Sequence, residues 1–184
     1  MSKILLLPLV LTILIALTVG NAFAATDYFL KIEGVDGEST DAKHKGQIEI
    51  DSFSWGVSNS GSMAAGGGGG GGAGKASFSD LHFTKTVDKS SPKLMEAVAT
   101  GEHLRSVDLV VRKAGGDQLE YYKVTLQDVL ISGYSTTGSS GEAPSESISL
   151  NFSKIVFEYT PQNADGTAAA PLKTGYDLAL AKKI

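Results

Sequence analysis

Three long runs of alternating apolar residues switch face partway along, and this reversal constrains the fold more than any other feature of the chain. In the run 47–57, Ile48 and Ile50 lie on one face, then Phe53, Trp55 and Val57 on the other. In 77–87, Phe78 opposes Leu81 and Phe83. In 145–159, Ile148, Leu150 and Phe152 give way to Ile155, Phe157 and Tyr159. A strand has period two, so each reversal needs a bulge, a bend or a strand that leaves one sheet for another. Long strands with repeated reversals fit a closed barrel or an orthogonal sandwich. The expected fold is therefore mainly β: a small β-barrel of two bent antiparallel sheets with one short α-helix. Alternation makes Trp55 a core anchor, grouped with Phe53 and Val57, and turns Ser52 and Ser54 to the other face.

The remaining segments fit this plan. Residues 28–32 alternate, with Tyr28, Leu30 and Ile32 on one face. Runs at 105–113 and 119–132 flank a turn at 114–117, where paired glycines supply positive φ. A last strand is expected at 176–181, after a loop-like stretch. One segment has helical spacing: Leu94, Met95 and Val98 form a stripe. Ser91 suits the N-cap, Pro92 the first helical position and Gly101 the C-terminal stop. About ten residues of helix are unstable alone, so it must dock on the barrel.

The first 24 residues do not belong to this plan. A short start with Lys3 precedes a nearly unbroken apolar run from Ile4 to Val19, and Ala22-Phe23-Ala24 is a small-residue cleavage site. That is the pattern of a secretory signal peptide, cleaved after Ala24. Residues 25–184 then form a single domain, with no membrane insertion expected after cleavage. The chain has no cysteine, so packing and hydrogen bonds alone hold the fold. A net charge of −4 and no Lys/Arg stripe argue against a nucleic-acid partner.

Candidate chemical sites each meet a simpler reading. Residues 69–75 nearly match a phosphate loop, but Ala76 stands where a Ser or Thr hydroxyl is needed, and a strand follows rather than a helix. His44, His82 and His103 lie in different elements without metal-ligand spacing. The acidic stretch 36–41 has calcium-loop composition without the order. Glu49 and Asp51 share a strand face and read as surface carboxylates rather than a glycosidase pair. Asn151-Phe152-Ser153 fits a glycosylation sequon inside a strand. No catalytic residue, cofactor or metal site is expected, and the chain reads as a non-enzyme.

Longer stretches carry a resemblance. They are Ser54-Trp55-Gly56-Val57-Ser58-Asn59-Ser60-Gly61-Ser62, Gly74-Lys75 and Asp80-Leu81-His82-Phe83-Thr84-Lys85. Further on come Asp88-Lys89-Ser90-Ser91-Pro92-Lys93-Leu94-Met95 and Val111-Arg112-Lys113-Ala114-Gly115-Gly116. Ser147-Ile148-Ser149-Leu150-Asn151-Phe152, Tyr159-Thr160-Pro161-Gln162 and Asp165-Gly166 complete the set. From Asp27 to Lys183 the chain resembles the haemolysin-coregulated protein (Hcp) family, the tube subunits of type VI secretion. The resemblance implies a homohexamer whose rings stack into a tube, with the sheath, a spike protein and small effectors as partners. It makes the loop 58–75 the candidate ring-stacking element, with Ser58, Asn59, Ser60, Gly61, Ser62, Met63, Gly66, Gly74 and Lys75 as its residues. Ser52 and Ser54 become a candidate lumen face. The leader departs from the family pattern, because it implies a secreted protein that passes through the periplasm while family members assemble in the cytoplasm. The alternative is a separately exported Hcp-like binding module or effector carrier that forms rings outside a tube.

Overall fold

The computed structural model describes residues 26–61, 74–113 and 118–184. The leader, the turn at 114–117 and the loop residues Ser62, Met63 and Gly66 lie outside the described residues. In chain order the elements are β1 (Thr26–Ile32), β2 (Ile48–Glu49), β3 (Ser52–Ser54), β4 (Val57–Asn59), β5 (Ala76–Phe78) and β6 (Leu81–Thr86). There follow α1 (Ser91–Thr100), β7 (His103–Lys113), β8 (Glu120–Thr137), β9 (Ser145–Tyr159), β10 (Leu172–Asp177) and β11 (Lys182–Lys183). The last strand expected at 176–181 is not formed as such: β10 begins at Leu172, pairs with the second half of β9 and ends at Asp177, and a turn then leads to the short β11.

The described strands pair antiparallel in one nine-stranded sheet and a separate β4–β5 ribbon. The sheet runs β2, β1, β7, β8, β9 and divides at β9. The first half of β9 takes β6, which takes β3; the second half takes β10 and then β11. Side chains from β1, β2, β6, β7, β8, β9 and α1 meet in one core, where Leu30, Ile48, Phe83, Leu94, Leu109, Leu126 and Leu150 are essentially inaccessible. The barrel-like wrap is as expected, but its ladder stays open between β2 and β3.

Each phase reversal has a physical cause. At the first, the Ile50 amide donates to the Tyr28 carbonyl at 3.2 Å and the Asp51 amide to the Thr84 carbonyl at 2.8 Å, so the chain steps from β1 to β6. At the second, Phe78 belongs to the ribbon and Leu81 to the large sheet. The third is a crease across three strands. Leu104, Val129 and Phe152 are in register, as are Ser106, Gln127 and Lys154, while the intervening Arg105, Asp128 and Ser153 have no ladder partner. Asp128 sits at φ 52°, in the left-handed region that Asp tolerates better than most residues. The Ser153 hydroxyl donates to its carboxylate at 2.6 Å, and the His103 ring lies 3.0 Å from its other oxygen. All three strands turn their apolar side chains over together at this line.

The helix differs in detail from its sequence signals. The N-cap is Ser90, not Ser91, and no side chain caps the first turn. Ser91 is occupied elsewhere: its hydroxyl donates to Glu146 Oε2 at 2.9 Å and accepts from Lys85 Nζ at 3.0 Å. Gly101 ends the helix at φ 67°, as expected. Leu94 and Ala97 are buried and Val98 is half-buried, but Met95 points to solvent at 52% exposure. The docked stripe is therefore 94, 97 and 98.

Candidate functional site

The most uniform surface is the outer face of β3, β6, β9 and β8, opposite the core face that carries Phe53, Phe83 and Ile148. Register places Ser52, Thr84, Ser147 and Ser135 in one row, and Ser54, His82, Ser149 and Gly133 in the next. Ser52 and Ser54 are exposed, and their neighbours extend them into a sheet of small hydroxyls. The Ser52 and Thr84 hydroxyls are 2.7 Å apart, and Ser149 Oγ lies 2.8 Å from His82 Nδ1. Asp80 stands at one end of the face, where Ser132 donates to it and Asn151 Nδ2 donates at 2.8 Å. These groups offer hydrogen bonds without a concentrated charge. The larger face was legible in the serines at 145, 147 and 149, which alternate with core residues, but its membership depends on strand pairing.

Trp55 packs half-buried against the core, its indole N–H donating to Tyr122 Oη at 2.7 Å. Burial pushes the Tyr122 phenol up, and the Trp55 hydrogen bond offsets part of that rise. Phe53 also packs on the core, but Val57 does not, being 56% exposed. Beyond Trp55 the chain has left β6 for the ribbon, so the alternation no longer refers to the same core. Trp55, Val57, Phe78, Phe157, Tyr176 and Lys183 instead line a mainly apolar groove of about 340 Å³.

The described stems of the loop 58–75 continue this ribbon. Ser58 and Asn59 are exposed on β4, and Ser60 and Gly61 lead out of it. Asn59 clasps the two stems: its Nδ2 donates to the Gly74 carbonyl at 2.9 Å and its Oδ1 accepts from the Gly61 amide at 2.9 Å. A side chain at 74 would meet Gly61 N at 2.5 Å, so the close approach requires glycine. Lys75 is exposed, and the strand that starts at Ala76 occupies the place where a phosphate loop would open a helix.

One cluster escaped the sequence reading. Lys85 and Glu146 are a register pair between β6 and β9, both essentially inaccessible, with Nζ 2.8 Å from Oε2. Asp88 takes a second contact from Lys85 at 2.7 Å, and Tyr134 donates to Glu146. Burial pushes the Glu146 carboxyl up, but hydrogen bonds from Lys85, Tyr134 and Ser91 outweigh it and hold the group below the usual range. Their signal was positional: Lys85 continues the phase of Leu81 and Phe83, and Glu146 that of Ile148 and Leu150. The cluster ties α1 to the sheet. His44 is buried over Phe29, His82 lies on the hydroxyl face and His103 at the crease, so the three do not converge.

Comparison with known proteins places this geometry. Residues 29–159 match the family described as "Type VI secretion system effector, Hcp". The chain is 48% identical to protein hcp1 of Pseudomonas aeruginosa over 157 residues, 84% of this chain and 96% of that protein. A solved structure described as a type six secretion system protein superposes with TM-score 0.82 at 34% identity, over 87% of this chain and all of that one. The crystal structure of Hcp1 from Salmonella typhimurium gives TM-score 0.72 at 38% identity, over 87% of this chain and 99% of the other.

Proposed function

The chain belongs to the Hcp family of type VI secretion proteins, and on that footing we propose that it is a structural subunit of the secretion tube, a hexamer whose rings stack and carry small effectors. The single observation that carries this reading is the family match across most of the folded domain. In such a ring the hydroxyl face lines the lumen. Its serines and threonines present weak, interchangeable hydrogen bonds, suited to a wall that cargo must enter and leave. The loop 58–75, clasped at its base by Asn59, contacts the next ring, and the sheath and spike are the outer partners. No step of this activity needs a catalytic group.

The leader favours a second reading. Residues 1–24 precede the family match, which begins at Phe29, and they carry the features of an export signal. In that reading the domain of residues 25–184 is exported separately and forms rings as an effector carrier outside a tube. Electron microscopy of protein purified from cells expressing the full chain tests both. The tube reading expects rings that stack end to end. Rings that never stack favour the exported carrier, and particles without rings contradict both.

A further inference from the structure

The strand β11, backed by β10, is an outer margin of the large sheet among the described residues, and it is both basic and apolar. Lys182 and Lys183 are exposed and enter no ion pair among the described residues. Around them Leu172, Leu180 and Ile184 are 66%, 62% and 51% exposed. Lys183 also lines the groove floored by Trp55 and Phe157 and rimmed by Val57, beside the base of the loop. Exposed sheet margins with large apolar side chains are normally covered.

What covers this margin is indicated by charge elsewhere on the same chain. At the open seam between β2 and β3, a hollow of about 360 Å³ is lined by Glu38, Glu49, Asp51, Thr86, Val87 and Asp88. Asp88 is neutralised by Lys85, but Glu38, Glu49 and Asp51 enter no ion pair among the described residues, and Val87 is 43% exposed at the rim. The two regions lie at opposite ends of one ladder. Register runs from Ser52 beside Thr84 to Ser54 beside His82, with Asp51 and Thr86 beyond the first end and Val57 and Phe78 beyond the second.

We propose that these ends meet between copies: the basic, apolar margin of Lys182, Lys183 and Ile184 seats on the acidic hollow of Glu49 and Asp51 of a second copy in the adjacent ring. Opposite ends that differ in charge give a head-to-tail contact, which extends in one direction and fixes polarity. Desolvating like charges against each other disfavours head-to-head stacking. This inference rests on the tube reading and specifies the contact that accompanies the loop.

The test uses two charge-reversal variants of the full chain, Lys182→Glu with Lys183→Glu, and Glu49→Lys with Asp51→Lys. All four side chains are exposed, so circular dichroism and ring mass should match the unaltered protein. In low salt, sedimentation and electron microscopy should show that each variant alone forms rings but loses stacking. A chain carrying both reversals has its complementarity restored and should stack again, as should an equal mixture of the two variants. Stacks of the unaltered protein should shorten as salt rises. Undiminished stacking by either variant, or no recovery in the combined chain, overturns the contact while leaving the ring reading intact. Unaltered protein that forms rings without stacks sinks the tube reading and this contact with it.

Discussion

Trp55 joins three neighbours in one site: the core beneath it, Tyr122 through its indole N–H, and Phe157 beside it at 6.2 Å. Trp55→Ala removes the packing and leaves Tyr122 short of a partner. A loss of about 3 kcal/mol in urea unfolding is expected, near the low end for a large aromatic because the ring is only half-buried. Ser54→Gln, on the exposed face of β3 immediately before Trp55, should stay within about 0.5 kcal/mol. Glu146 carries a larger penalty. Glu146→Gln leaves the inaccessible Lys85 ammonium with one fewer anion and should cost about 3–5 kcal/mol. The acid limb follows from the same residue. Glu146 is held below its usual range, and so is Asp41, chiefly by the Arg112 guanidinium beside it, 2.8 Å from its Oδ2. A carboxylate lowered in the folded state stabilises above its unfolded value and loses that contribution as pH falls through the folded one. Stability should therefore be flat near neutrality and fall below the ordinary carboxylate range, with a shallower fall in Glu146→Gln; an identical fall would remove Glu146 from the account. The alternation rule found Trp55, because an aromatic in phase with Phe53 marks a core. It passed over Lys85 and Glu146, since each looks like a solvated charge until the pairing of β6 with β9 brings them together.

At the level of elements, the reversals of phase were legible but their causes were not. Sequence alone could not separate a strand that changes partner, as at Asp51, from strands that crease in concert, as at Arg105, Asp128 and Ser153. Only the pairing distinguishes them, and pairing joins residues far apart in the chain. The helix shows the same limit: its boundaries were readable from Pro92 and Gly101, but Ser91 was drawn from capping into the buried cluster by Glu146, 55 residues away. The loop stems offer a test at this scale. Gly74→Ala would force Gly61 away and open the clasp that Asn59 makes, without touching the core. Light scattering should report an unchanged ring mass, while microscopy should show fewer stacked rings. Stacking equal to that of the unaltered protein would dissociate the loop base from ring-to-ring contact.

The whole molecule is a barrel-like sheet that remains open at one seam, with outer edges at β3 and β11 that pair with no further strand among the described residues, and an isolated subunit would leave these exposed. Assembly with further copies, within a ring and between stacked rings, would cover such margins, because each subunit offers its partner the surface that the partner lacks. The family was legible from long matched stretches, and single rows of the hydroxyl face from alternating serines, whereas the full extent of that face and the charged ends were not, since they are composed by strands that meet only in the fold. We infer that this chain acts by assembling. The most direct test is the mass of the purified domain in solution, measured by light scattering at micromolar concentration. The expected mass is that of a hexamer, unchanged on moderate dilution; a stable monomer across that range would overturn the ring reading.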